Sequence, residues 1–144
     1  LFYSWSYDMS NDLRRGRHVV YNLHVHLVFV AKYRRKLFTK EILDDMQVIF
    51  SDVCTKFEAQ LVEFDGESDY VHLLVIYPPK VAVSNLVNSL KGVSSRLLRK
   101  KDHPSMNAQL DGDALWSPSY FAGSCGGAPI EMIRQYIEAQ NTSH

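Results

Sequence analysis

The chain has 144 residues, 16 Lys+Arg against 16 Asp+Glu, and a hydrophobic fraction of 46%. This excludes a disordered chain and fits one domain able to bury about 68–70% of its unfolded surface. The longest uncharged apolar stretch, Leu23 to Ala31, contains two histidines and falls far short of the ~20 residues of a membrane span. Cys54 and Cys125 make neither a disulfide framework nor a CxxC metal pair, and no secretory leader pattern is visible, so a cytoplasmic protein is expected.

Residues 1–17 are aromatic and polar without a period and read as an N-terminal arm, and 18–144 read as a single domain. His18 to Ala31 reads as one long strand, with Leu23, Val25, Leu27 and Phe29 on one face and His24, His26, Val28 and Val30 on the other. Thr39 is placed to cap a helix reaching Phe57, whose apolar positions Ile42, Met46, Ile49, Phe50, Val53 and Phe57 follow helical spacing. Leu61 to Phe64 reads as a short strand, Asp65-Gly66 as a turn, and Tyr70 to Tyr77 as a second core strand ended by two prolines. A helix from Ser84 to Lys101 carries Leu86, Leu90, Val93 and Leu97 on one stripe. Asp102 to Ser117 reads as a loop, Ser119 to Gly123 as a last short strand, and Gly126-Gly127 as a joint. Pro129 suits the first turn of a final helix reaching Gln140. The order strand, helix, strand, strand, helix, strand, helix is that of an α+β, ferredoxin-like antiparallel sheet with helices on one face, plus a C-terminal helix.

Zero net charge argues against a nucleic-acid partner, but the distribution argues for one. Twelve of the 16 basic residues fall in three blocks: Arg14, Arg15 and Arg17; Lys32, Arg34, Arg35 and Lys36; and Lys91, Arg96, Arg99, Lys100 and Lys101. Local potential, not net charge, guides a polyanion. On the final helix Ile130, Ile133 and Ile137 share a stripe, and Tyr136 and Gln140 sit at i, i+4 on its border. That position suits either a tyrosine presented into a cleft or an edge tyrosine with its hydroxyl in water. His24-Val25-His26 puts two imidazoles on one face of the first strand, as a metal pair or as two ordinary histidines. In a ferredoxin-like sheet the first and third strands are neighbours, so His26 is expected near His72.

The segment Gln135-Tyr136-Ile137-Glu138-Ala139-Gln140 resembles the catalytic helix of the single-tyrosine HUH transposases of TnpA type, which move bacterial insertion sequences as single-stranded DNA. Four further stretches resemble the family in order. They are Lys32-Tyr33-Arg34-Arg35-Lys36, Asp69-Tyr70-Val71-His72-Leu73-Leu74, Lys91-Gly92-Val93-Ser94-Ser95-Arg96, and Leu115-Trp116 with the Gly126-Gly127-Ala128-Pro129 approach. The resemblance runs from about Arg17 to Gln140.

The resemblance implies a transposase that nicks and rejoins single-stranded DNA through a 5′-phosphotyrosine on Tyr136. It implies a divalent cation, Mg2+ or Mn2+, held by His72, Gln140 and the residue at position 70. There this chain departs from the family, because Tyr70 stands where the family has its first histidine, and a neutral phenol is a poor ligand for a hard cation. Tyr33, Arg34, Arg35, Lys36, Lys91, Ser94, Ser95 and Arg96 become the expected DNA contacts. The implied partners are hairpins at element ends and a second copy in a homodimer, with no membrane. The Gly126-Gly127 joint would let the tyrosine helix reach the partner copy. The departure at Tyr70 leaves an alternative: a catalytically weakened or inactive relative that still grips hairpin DNA.

Overall fold

The computed structural model describes residues 13–101, 103–124 and 130–140. A two-stranded ribbon comes first: β1 (Arg14–Arg15) pairs antiparallel with β2 (Val20–Tyr21). β3 (His24–Val30), α1 (Lys40–Lys56), β4 (Gln60–Gly66), β5 (Tyr70–Ile76), α2 (Val83–Lys100), α3 (Pro104–Leu110), β6 (Phe121–Ser124) and α4 (Ile130–Glu138) follow. The four long strands form one sheet in the order β4-β5-β3-β6, every pair antiparallel. This is the ferredoxin-like arrangement the element order implies.

β3 is buried along its whole length. Val25, Leu27 and Phe29 face the main core with Val71, Leu73 and Val75 of β5 and the apolar stripes of α1 and α2. Val28 and Val30 face the other way and meet Ile133 and Ile137 of α4. α1 and α2 therefore cover one face of the sheet, and α4 lies on the opposite one. Thr39 caps α1 as its sequence suggests, its hydroxyl accepting from the Ile42 amide at 3.3 Å.

Five boundaries differ from the sequence expectation. The strand expected from His18 to Ala31 is broken after Tyr21, because β2 leaves the main sheet to pair with β1. Arg14 of that ribbon donates to the Gln60 side chain at 2.8 Å, so the expected arm boundary after residue 17 falls inside a structured element. β4 does not turn at Asp65-Gly66 but continues through them: Gly66 pairs with Val71, and Leu43 of α1 packs so close that a Cβ there would lie 2.5 Å from its Cδ2. The expected loop from Asp102 to Ser117 contains α3, started by Pro104, anchored by buried Met106 and Leu110, and stopped by Asp111 and Gly112 in left-handed conformation. The last strand is Phe121–Ser124, two residues later than expected at its start. Gly126, Gly127 and Pro129, the basis for an exchangeable helix, lie outside the described residues; α4 itself rests on its own chain's β3.

The seat of α4 is open to a direct check. Ile133 is fully buried and is one of only two buried anchors of this helix. Ile133→Ala is expected to cost about 2–5 kcal/mol of docking free energy. Hydrogen exchange should show this as faster exchange confined to residues 130–138, with α1 and α2 protected as before.

Candidate active site

Tyr136 projects from α4 over the outer face of the sheet. Its ring packs beside Phe121 of β6 at 5.9 Å between centroids and adjoins the Val28, Val30, Ile133 and Ile137 cluster, which Tyr70 also lines. Its hydroxyl lies 2.7 Å from Ser119 Oγ. Ser119 Oγ also donates to Gln140 Oε1 at 3.2 Å, as does Ser117 Oγ, and Gln140 Nε2 donates to the Tyr136 carbonyl at 3.1 Å. Ser119 has a single proton and Gln140 Oε1 can only accept. Both Ser119 bonds are satisfied together only when the Tyr136 hydroxyl donates to Ser119. Burial pushes the Tyr136 phenol up and the Ser119 bond pulls it partly back, so the group is a neutral phenol near neutral pH.

Lys91 holds the segment that carries the two serines. Its ammonium reaches from α2 to the carbonyls of Ser117 at 2.7 Å and Ser119 at 3.1 Å, and its pKa is lowered by burial. Ser94 is fully buried, accepts from Trp116 Nε1 at 3.0 Å and donates to the Lys91 carbonyl. Lys91 and Ser94, both expected as DNA contacts, hold the Trp116–Ser119 segment from the α2 side. Ser95 accepts from Arg99 at 3.3 Å, and Arg96 is exposed.

Tyr70 and His72 share the outer face with Tyr136, since Tyr70 pairs with Val30 and His72 with Val28. His72 is fully buried, and its Nε2 lies 2.9 Å from Nδ1 of His26, with the rings stacked at 5.2 Å. The expected proximity of these two histidines is thus present. Burial, reinforced by His26 in the first case and by His24 in the second, lowers His72 to about 3 and His26 to about 4. Burial first, then Glu67 and Asp69, raise Tyr70 to about 12, against the opposing pull of Arg134 and Arg34.

The basic block after β3 is anchored by two carboxylates. Asp69 receives Arg34 at 3.3 Å and Lys36 at 3.6 Å, and Asp113 receives Lys32 at 2.9 Å and Arg35 at 3.3 Å. The hydrogen bond from Lys32 holds Asp113 down at about 2, and Asp113 in turn raises Lys32. Tyr33 and Arg34 both take left-handed backbone, with φ of 60° and 53°.

Residues 19–140 match the family model described as Transposase IS200 like. The chain belongs to the IS200-like transposase family. It is 31% identical over 130 residues to ISDra2 transposase TnpA of Deinococcus radiodurans, covering 90% of this chain and 92% of that protein. It is 28% identical over 129 residues to the transposase for insertion sequence element IS200 of Salmonella typhimurium, covering 90% and 84%. A crystal structure from Deinococcus radiodurans assigned as a transposase superposes with a TM-score of 0.82 at 33% identity, covering 90% of this chain and 99% of that one. A REP-associated tyrosine transposase bound to a REP hairpin shares the fold, with a TM-score of 0.53 at 9% identity over 87% and 68% of the two chains.

In this IS200-like transposase the donor set implied for a divalent cation does not make a fitted site. Tyr70 is a neutral phenol, His72 Nε2 is engaged by His26, and Gln140 Oε1 is taken by two serines. Among the described residues no group of three His, Cys, Asp or Glu is placed to hold a metal. Sequence reading missed Ser117 and Ser119 because a serine in a Ser-Pro-Ser segment looks like ordinary loop chemistry. It missed Asp69 and Asp113 as organisers because their cationic partners lie far away in sequence.

Two measurements test the site. Ser119→Ala removes one hydrogen bond from the phenol, worth about 0.5–1.5 kcal/mol, and should slow formation of a tyrosine–DNA adduct roughly 3- to 10-fold with DNA affinity unchanged. The histidine pair sets a pH dependence of stability. Both imidazoles stay neutral in the fold where the unfolded chain, with pKa near ~6.5, takes up protons. Unfolding therefore binds protons below that value, and stability is complete above pH ~6.5 and falls as pH drops toward about 4. The slope is at most ~1.4 kcal/mol per pH unit for each imidazole. Denaturant midpoints that stay level across this window would contradict the burial of neutral His26 and His72.

Proposed function

We propose that this transposase nicks and rejoins single-stranded DNA at insertion-sequence ends, with Tyr136 as the nucleophile. The observation that carries the proposal is the Tyr136–Ser119–Gln140 network on the outer face of the sheet. It aims a phenol hydroxyl at an oxygen acceptor and locks the amide one turn further along the helix. In the reaction, the Tyr136 oxygen attacks phosphorus and its proton is released to solvent, since the Ser119 hydroxyl and the Gln140 amide oxygen accept hydrogen bonds but are not bases. The bond from phosphorus to the 3′ oxygen breaks, and that oxygen takes up a proton to become a free 3′ hydroxyl. The 5′ phosphate stays on the tyrosine as a diester. The diester retains the energy of the original bond, so attack by another 3′ hydroxyl rejoins strands without a nucleotide cofactor.

The proposed partners are single-stranded hairpins and a second copy of the chain in a homodimer. The hairpin-bound relative of the same fold supports the first. Mg2+ or Mn2+ is the cation the family chemistry implies. Because the donors here do not complete a site, no step is routed through it. A second reading, a hairpin-binding module with weakened cleavage, is favoured by one observation, the half-buried neutral phenol of Tyr70 at the position of an expected metal ligand.

One assay decides between them. The protein is incubated with single-stranded DNA from the element ends and Mn2+, and covalent adducts are counted after denaturation. Tyr136→Phe is expected to abolish the adduct and leave hairpin binding within about twofold, since only the phenol oxygen is lost. Tyr70→His is expected to raise the adduct yield at limiting Mn2+. Adduct from Tyr136→Phe at the wild-type level would overturn the nucleophile assignment. Absence of adduct in both the wild type and Tyr70→His would select the binding module.

A further inference from the structure

The cations that follow β3 are divided between two acids by the path of the backbone. Two overlapping tight turns come first: the Arg34 amide donates to the Ala31 carbonyl at 2.8 Å, and the Arg35 amide to the Lys32 carbonyl at 3.3 Å. The second turn brings the backbones of Lys32 and Arg35 together, and both side chains reach Asp113, at 2.9 and 3.3 Å. Arg34 and Lys36 go to Asp69 instead. Left-handed φ at Tyr33 and Arg34 makes this path unfavourable for residues with a side chain. Such strain persists where the surroundings over-determine it.

Asp113 is itself held in place. Its amide donates to the Leu110 carbonyl at 2.8 Å, its Oδ1 accepts from the Ala114 amide at 2.8 Å, and its carbonyl accepts from Arg99 of α2. Leu110 before it and Leu115 after it are buried. The two cations it receives flank the Tyr33 ring, each 5.2 Å from the centroid, within cation–π range. Lys32 and Arg35 are thus tethered to a rigid segment. A long side chain loses rotamer freedom when it grips a phosphate, and here much of that freedom is already lost. The carboxylate also repels a phosphate, but water and salt soften this at a partly exposed site.

We infer that Asp113 is a positioning residue for DNA binding: by holding Lys32 and Arg35 beside Tyr33, this acid strengthens the grip on the phosphate backbone instead of weakening it. The inference rests on the proposed reading that hairpin DNA is the partner. An acid that acted through its charge alone would lower affinity, so its removal separates the two roles by sign. Asparagine is the suitable probe. It has the shape of aspartate and keeps an oxygen for the Ala114 amide and Lys32. Its amide nitrogen, a donor, then faces Arg35, and that hydrogen bond is lost.

The test measures binding of single-stranded hairpin oligonucleotides from the DNA flanking the gene, with Tyr136→Phe in every protein so that the strand stays intact. Asp113→Asn is expected to weaken binding roughly 2- to 10-fold, the effect of freeing one long side chain. The slope of log K against log salt should fall by about 0.7, one phosphate contact on a single strand. Asp52→Asn makes the same charge change at an exposed position of α1 and should leave affinity unchanged or slightly higher. With Arg35→Ala added, the penalty of Asp113→Asn should shrink to about twofold or less, because the side chain it positions is gone. A folding defect would persist in that background. Equal or tighter binding by Asp113→Asn, the same penalty without Arg35, or equal weakening by Asp52→Asn would overturn the inference. Failure of the Tyr136→Phe protein itself to bind the hairpins would instead overturn the proposed DNA partner, and the inference with it.

Discussion

Two isoleucines decide where the tyrosine-bearing helix sits. Ile133 and Ile137 are the buried residues of α4, and they sit on Val28 and Val30 of a strand whose other face already anchors the main core. Full burial of such side chains stabilises by about 1.5–3 kcal/mol each, so α4 is held by a few kcal/mol while α1 and α2 share a core of many side chains. This asymmetry separates two tasks. The sheet and its inner helices form a rigid platform, and α4 is a lightly seated lever that carries Tyr136 and Gln140.

A lightly seated helix needs its polar groups positioned from outside, and the segment from Trp116 to Ser119 does that. Trp116 packs against Phe29 and Phe38 and donates to Ser94, which pins the segment to the core. Lys91 draws two of its carbonyls toward α2. The serines are then the free ends of a pinned segment, and their hydroxyls reach up to the tyrosine and the glutamine. A half-buried lysine and a buried serine of α2 thus act on the Tyr136 hydroxyl through backbone and two serine hydroxyls.

Much of this was legible in the sequence, and the misses have physical causes. The helical spacing of α1 and α2, the Thr39 cap and the alternation of β3 report burial directly, because a residue's period fixes its face. The juxtaposition of His26 and His72 followed from strand order alone. The misses involve information that is not local. That Lys91 and Ser94 hold the Trp116–Ser119 segment shows only once the fold brings Trp116 and the Ser117 carbonyl to them. α3 is too short for periodicity to be decisive, and only Met106 and Leu110 at i, i+4 signalled it. Tyr70 was visible as a departure, but its place among Phe121, Tyr136, Ile133 and Ile137 required the outer cluster of α4 and β6.

The charge pattern closes the argument about how a chain of zero net charge suits a polyanion. Asp69 and Asp113 hold four cations of one short block. Such partly exposed pairs are worth little in stability, yet they restrict where long side chains point. An arginine has five donors in a fixed fork, and a carboxylate that engages one or two of them leaves the rest for phosphate. Two anions against four cations leave a local excess of two positive charges, already oriented beside Tyr33. The acids that cancel the formal charge are therefore part of the cationic surface: they trade some attraction for a fixed geometry.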